Sequence, residues 1–282
     1  MANLIQDLSV TGDEELIGSE FDDLIIGGIG DNIIDGVGGD DNVFGGDGND
    51  IIVVGDGNDN VDGGLGDDDI TLGEATGALV REGVTNPSNF GYGGGGNDTI
   101  TGGANTDYIY GEEGDDILDG GAGDDVILGD VEDPLLGGAD TITGGFGSDF
   151  LSGGTGADII NSHASRGAAG TTRLIEKDEI YTGNDADADQ INLFTNYAGG
   201  KVSARPARQR SFGDGSFAVI DQFNVANDTL NLRDSLINYT LVQGNYDGDR
   251  KNDTFITQRG NTVAVVLDVS RTPLSGVIGQ VV

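Results

Sequence analysis

The chain has no cysteine and no tryptophan, one histidine, four prolines and thirteen basic residues among its 282 positions. Without cysteine there is neither a disulfide framework nor a thiolate zinc site, and His163 alone cannot build a histidine-rich one. Aromatic residues are 6% of the chain, too few for an ordinary globular core of this length, so something besides apolar burial must drive folding. No apolar run approaches the length of a membrane span. The opening Met-Ala-Asn-Leu-Ile-Gln-Asp lacks the basic and apolar regions of a Sec-type signal peptide. Neither His-Glu-x-x-His nor Gly-x-Ser-x-Gly occurs, so the motifs of zinc proteases and serine lipases are missing and the chain reads as non-enzymatic, with no catalytic residue.

What the chain has in abundance is glycine, at 52 residues, and acid, with a formal net charge of −37. Residues 1–160 hold 36 of the 50 acidic side chains and a single basic one, Arg81, whereas residues 161–282 hold 14 acidic and 12 basic. So dense an acidic block repels nucleic acid and anionic membranes and attracts hard cations. Ligation by oxygen alone points to calcium or magnesium.

The acid and the glycine are periodic. From Gly18 to Thr71 the sequence falls into six consecutive nine-residue units. Their sixth positions are Asp23, Asn32, Asp41, Asp50, Asp59 and Asp68, and their eighth positions are Ile25, Ile34, Val43, Ile52, Val61 and Ile70. A degenerate unit before them, Ser9 to Ile17, keeps Leu16 in the apolar column and has Glu14 in place of Asp, as an N-terminal cap would. The period breaks between Leu72 and Tyr92, around Pro87, and resumes at Gly93 with Asp98, Asp107, Asp116 and Asp125 beside Ile100, Ile109, Leu118 and Ile127. A second interruption around Glu132 to Leu136 precedes Asp140, then Asp149 and Asp158 stand beside Leu151 and Ile160, where the array is expected to stop.

Glycines in such a loop permit positive φ and let carbonyls turn inward around an ion, while the trailing three residues form a short strand with one side chain inward. The expected fold is all-β: a parallel β-roll, a right-handed β-helix-like solenoid in which two units close one coil and loops stack at about 4.8 Å. At that spacing two carboxylates repel by about 0.9 kcal/mol in water and about 3.5 kcal/mol at an effective dielectric of 20. A divalent ion between layers reverses the sign, so the metal-free chain is expected to be largely disordered and metal binding to be the folding event. Acid pairs such as Asp115-Asp116 and Asp124-Asp125 recur at the repeat period, which favours chelation over a glycosidase pair.

The unit Gly-Gly-x-Gly-x-Asp-x-U-x resembles the hemolysin-type calcium-binding, or RTX, nonapeptide repeat over about residues 9–161. The resemblance implies several Ca2+ ions held by the sixth-column side chains Asp23, Asn32, Asp41, Asp50, Asp59, Asp68, Asp98, Asp107, Asp116, Asp125, Asp140, Asp149 and Asp158. Loop-glycine carbonyls would complete the shells, from Gly28, Gly30, Gly39, Gly46, Gly48, Gly57, Gly64 and Gly66 in the first run. In the second they come from Gly94, Gly96, Gly103, Gly114, Gly121, Gly123, Gly145, Gly147, Gly154 and Gly156. Three places depart from the pattern and imply weaker sites: Gly18-Ser19-Glu20-Phe21 lacks two glycines, Asn32 replaces Asp, and Gly129 to Asp140 is interrupted.

From Ser162 glycine thins, and the strand-like stretches Phe217–Phe223, Tyr239–Val242, Thr254–Thr257 and Thr262–Leu267 suggest a β-rich cap over the open solenoid end. Asp189 with Ile191 keeps the loop-strand spacing. The stretches Ile220-Asp-Gln-Phe, Asn227-Asp-Thr-Leu, Asn252-Asp-Thr-Phe-Ile and Gly260-Asn-Thr-Val-Ala-Val resemble the terminal region of RTX proteins exported by type I secretion. That implies an extracellular or cell-surface location, with folding only where calcium is millimolar. Asp247 to Asp253 reads as a hairpin loop. Lys201 to Arg210 reads as a solvated basic loop, able alternatively to meet an acidic repeat face or an anionic polysaccharide.

The expected organisation is a cap at 1–17, a β-roll at 18–71, an insertion at 72–92, a second β-roll run at 93–161 interrupted near 129–137, and a C-terminal cap with the secretion signal at 162–282. The expected role is that of a secreted calcium-binding structural or adhesion module of the cell surface or extracellular matrix. Alternatives are an accessory module of an extracellular polysaccharide-modifying enzyme and a self-assembling surface layer or filament. Polysaccharide, cell-surface components or a second copy are the expected partners beside calcium; nucleic acid is not.

Overall fold

The computed structural model describes residues 3–6, 12–73, 88–130, 137–163, 178–182, 188–194, 218–221, 228–232, 239–244, 253–258, 261–266 and 278–280. Pro87, residues 132–136, the basic stretch 201–210 and residues 247–252 lie outside them.

Among the described residues every regular element is a strand, and from Asn3–Gln6 to Thr229–Leu232 successive strands alternate between a thirteen-stranded and an eleven-stranded sheet. Each nonapeptide supplies one short strand, too short to stand alone, so each pairs in parallel with the strand two units before and after it. Val43 sits between Ile25 and Val61 in the first sheet, and Ile52 between Ile34 and Ile70 in the second, at steps of eighteen residues. The fold is thus a parallel β-roll. Its eighth-column side chains point between the sheets as a single file per sheet, and Ile25, Val43, Ile52, Ile70, Ile100 and Ile109 have no solvent exposure. The sheets lie with their other faces to solvent.

Surplus sequence does not alter the pairing. The step from Val61 to Gly91 is thirty residues, twelve more than two units, and that from Ile127 to Leu151 is twenty-four. The break is narrower than 72–92: Leu72 is in the core, and Ser88–Gly95 is a strand paired with Asn60–Leu65 and with Thr106–Glu113. The repeat goes unrecognised there because Gly91 occupies the apolar column and Asn89 the sixth. Leu72 restores the missing volume: a Cβ on Gly91 would lie 3.0 Å from Leu72 Cδ1 and 3.3 Å from Ile100 Cγ2.

The parallel pairing does not end at residue 161. Glu179–Tyr181, Gln190–Phe194, Ala218–Asp221, Thr229–Leu232 and Ile278–Gln280 extend the two sheets, with Ile180, Ile191, Ile220 and Leu230 continuing the buried files. The longer, glycine-poor connections conceal this continuation from a nine-residue period. At the far end Asn261–Val266 pairs in parallel with Ala218–Asp221, then Asp253–Gln258 and Tyr239–Gly244 add antiparallel strands. At the other end Asn3–Gln6 adds to Asp23–Ile29, and Glu15–Ser19 carries Leu16 into the apolar file.

Candidate metal centre

Each sixth-column residue stands at the last corner before its strand, so the β-roll stacks these residues in two columns, one along each sheet. All thirteen expected ones, from Asp23 to Asp158, are 3% exposed or less. One side-chain oxygen is used to build the stack. Asp23 N–H donates to Asp41 Oδ1 at 2.9 Å and Asp41 N–H to Asp59 Oδ1 at 2.9 Å. In the other column Asn32 donates to Asp50, Asp50 to Asp68, Asp68 to Asp98, and Asp98 to Asp116, each at 2.7 Å.

The second oxygen is the one the protein leaves unsatisfied. Oδ2 of Asp41, Asp50, Asp59, Asp68, Asp98, Asp116, Asp125 and Asp140 is cut off from solvent and has no hydrogen-bond partner. An unpartnered carboxylate oxygen in such a place is strongly unfavourable. Backbone oxygens crowd the same space. A Cβ on Gly36 would lie 2.5 Å from Asp41 Oδ2 and 2.7 Å from the Val54 carbonyl oxygen, and one on Gly120 would lie 2.5 Å from Asp125 Oδ2 and 2.6 Å from the Gly144 carbonyl.

Asn32 shows what this oxygen faces. With its Oδ1 accepting Glu14 N–H, its Nδ2 is turned onto the Gly30 carbonyl at 2.8 Å. A carboxylate in that position sets acceptor against acceptor, an arrangement that a hard cation resolves and that a donor-poor loop cannot. Among the described residues no three acidic or imidazole side chains converge, so carbonyls have to complete any cage. The residues therefore fit a calcium ion, held by one carboxylate per layer and by loop carbonyls.

Electrostatics agree. Burial, reinforced by neighbouring carboxylates and opposed by the backbone donors, pushes the carboxyls of Asp125 and Asp140 up to about 8. It pushes Asp59, Asp68, Asp98 and Asp116 up to about 7. Asp41 and Asp107 rise to about 6, again through burial first. A divalent ion would favour the charged form and reverse these shifts.

Of the expected loop glycines all but Gly57 and Gly103 have positive φ, as Gly46 at 118° and Gly48 at 139° do. The second-column slot imposes this even on Val37 and Glu112, both at 78°. Two further sets of residues line the loops beyond those expected. First-column glycines such as Gly36 and Gly120 form the floor against which Oδ2 rests. In the fifth column an exposed ladder runs with the opposite polarity: Asp40 N–H donates back to Asp22 Oδ1 at 3.1 Å, and Asn58 N–H to Asp40 Oδ1 at 3.1 Å. The signal for it was present, since Asp22, Asp31, Asp40, Asn49, Asn58 and Asp67 all occupy that column. Across the second break Asp130 acts as a staple, its carboxylate accepting from Gly138 N–H at 3.2 Å and Thr155 N–H at 2.9 Å.

The family model for the RTX calcium-binding nonapeptide repeat matches four times, at residues 9–43, 35–70, 92–129 and 136–164. No curated protein matches the chain. Among the described residues no helix is long and apolar enough to cross a membrane.

Proposed function

We propose, from the matches of the RTX calcium-binding nonapeptide-repeat model at residues 9–43, 35–70, 92–129 and 136–164, that this is a secreted, non-enzymatic protein that folds on binding calcium and serves as a structural or adhesion module at the cell surface or in extracellular matrix. One observation carries the reading: the buried, unpartnered Oδ2 atoms repeated along both columns. Calcium bound there supplies the positive charge that lets these carboxylates be buried ionised.

The proposed ligands are the sixth-column carboxylates with carbonyls of the second- and fourth-column glycines, for example Asp50 with Gly46 and Gly48. An adhesive role draws support from the solvent face of the thirteen-stranded sheet, where Phe90 stacks on Tyr108 at 4.8 Å and Tyr92 on Tyr110 at 4.9 Å. The type I-like terminal stretches support export, and the weak affinity of extracellular calcium modules suits an exported chain that stays unfolded until it leaves the cell.

Far-UV circular dichroism of the full chain in EDTA and in millimolar calcium tests the proposal. A β-sheet signal that appears only with calcium, with a midpoint well above cytosolic calcium, is expected. The same β content in both solutions would overturn the proposal.

A further inference from the structure

The loops differ in how they treat the second side-chain atom of the sixth column. In five of them the chain itself places a donor there. Asn32 Nδ2 donates to the Gly30 carbonyl at 2.8 Å and Asn89 Nδ2 to the Gly73 carbonyl at 3.4 Å. Asp23 Oδ2 accepts from Ser19 N–H at 2.7 Å and Ser19 Oγ at 2.9 Å, and Asp107 Oδ2 accepts from Gly103 N–H at 2.6 Å, which leaves Asp107 Oδ1 as the buried oxygen without a partner. Asp178 Oδ2 accepts from Ser162 Oγ.

These donors have a common cause in sequence. Where the fourth-column glycine is replaced, by Phe21 or Asn105, the second-column N–H turns inward onto the carboxylate. Gly103, accordingly, is absent from the glycines with positive φ. Where Asn replaces Asp, the stacking ladder fixes the amide. Its Oδ1 must accept the N–H of the preceding layer, Asp59 to Asn89 at 3.0 Å, so its Nδ2 is presented to the carbonyls. Where the first-column glycine becomes Ser162, the hydroxyl reaches the carboxylate of Asp178.

We infer that the loops whose carboxylate or amide is met in this way and keeps no bare oxygen are sealed against calcium by the protein's own donors, so that the ions form an uninterrupted file from Asp50 to Asp140 along the eleven-stranded sheet but a file broken at Asn89 along the thirteen-stranded one. The inference rests on the calcium reading above and adds to it which layers hold ions. The uninterrupted file is the one in which Asp50, Asp68, Asp98, Asp116 and Asp140 all keep an unpartnered Oδ2. In the sealed loops an N–H or O–H dipole does the ion's work. These layers should hold together without metal.

Counting calcium ions per full-length chain by native mass spectrometry at saturating calcium, with circular dichroism to monitor folding, tests this. Asn89→Asp combined with Asn105→Gly removes both donors at the break and should raise the count by at least one. Ser162→Gly, at a different place, should do the same. Asp98→Asn converts an open layer to a sealed one and should lower the count by at least one while the chain still folds in calcium. Unchanged counts in the first two variants overturn the inference. So does failure of either to fold at saturating calcium, because opened layers must gain an ion. A wild-type chain that binds no calcium instead overturns the functional proposal, which separates the two failures.

Discussion

Leu72 occupies the space that a side chain at Gly91 would need, and the two meet across the core where the repeat is least recognisable. Gly91 stands in the apolar column and Leu72 one strand away, so the core is continuous although its regular supplier is missing.

Removing that plug should therefore cost as much as deleting any core residue. Leu72→Ala is expected to destabilise the calcium-loaded protein by about 2–5 kcal/mol, read from urea melts at saturating calcium. Adding Gly91→Val to Leu72→Ala should recover part of the loss, because the valine enters the vacated space, whereas Gly91→Val alone should be destabilising by overpacking. Equal stability of the single and double variants would show that the two residues do not share a space.

Without calcium, acid should substitute for the ion. The folded-state carboxyls at Asp59, Asp68, Asp98, Asp116, Asp125 and Asp140 lie at about 7 to 8, above the ordinary unfolded value of about 4. Raised folded values mean that the folded state binds more protons, so its stability is full below about pH 4 and is lost as pH rises through 6 to 8. In EDTA the β-sheet signal is expected near pH 4 and lost by pH 8, while millimolar calcium keeps it at pH 8. A signal in EDTA that grows with pH would contradict the burial argument.

Two residues carry backbone strain that glycine would relieve. Val37 and Glu112 sit at a φ of 78° in second-column slots that glycine fills in most of the loops. A non-glycine residue there costs about 1–3 kcal/mol, against about 0.5–1 kcal/mol of extra chain entropy for glycine. Val37→Gly and Glu112→Gly should each stabilise the calcium form by about 1 kcal/mol in thermal melts. A fall in stability would show that the side chains contribute more than their strain.

The two carboxylate ladders should respond differently to truncation. Asp40→Ala removes an exposed acceptor of Asn58 N–H and Nδ2; about 0.5–1 kcal/mol should be lost, with the calcium count unchanged. Asp50→Ala leaves Asn32 N–H without its buried acceptor and should also cost bound calcium. Equal calcium loss in both variants would place ions in the outer column as well.

Most of the roll was legible because one apolar residue and one Asp, or Asn at position 32, kept phase every nine residues from Gly18 to Thr71 and again from Gly93 to Asp125. Legibility failed where another residue did the same job from a different place. Gly91 with Leu72 broke the apolar phase, Asn89 broke the acidic one, and Asp178-Glu-Ile180 and Asp228-Thr-Leu230 are separated by connections too long for any period. The sixth-column acids could be read from composition and spacing. The first-column floor could not, because only the stacked coils show that Oδ2 rests against it. The fifth-column ladder was visible as a column of Asp and Asn but carried no apolar marker to draw attention.

The opposed polarity of the two ladders makes the roll a directional object with no independent unit. In the inner ladder an amide reaches forward to the carboxylate of the next coil, as Asp41 does to Asp59; in the outer one it reaches back, as Asn58 does to Asp40. Cutting between any two coils therefore breaks bonds of both senses and leaves donors bare on each new face. A fragment gains no stable terminus wherever it is cut, so cleavage within the roll should expose surfaces that unwind from the cut in both directions.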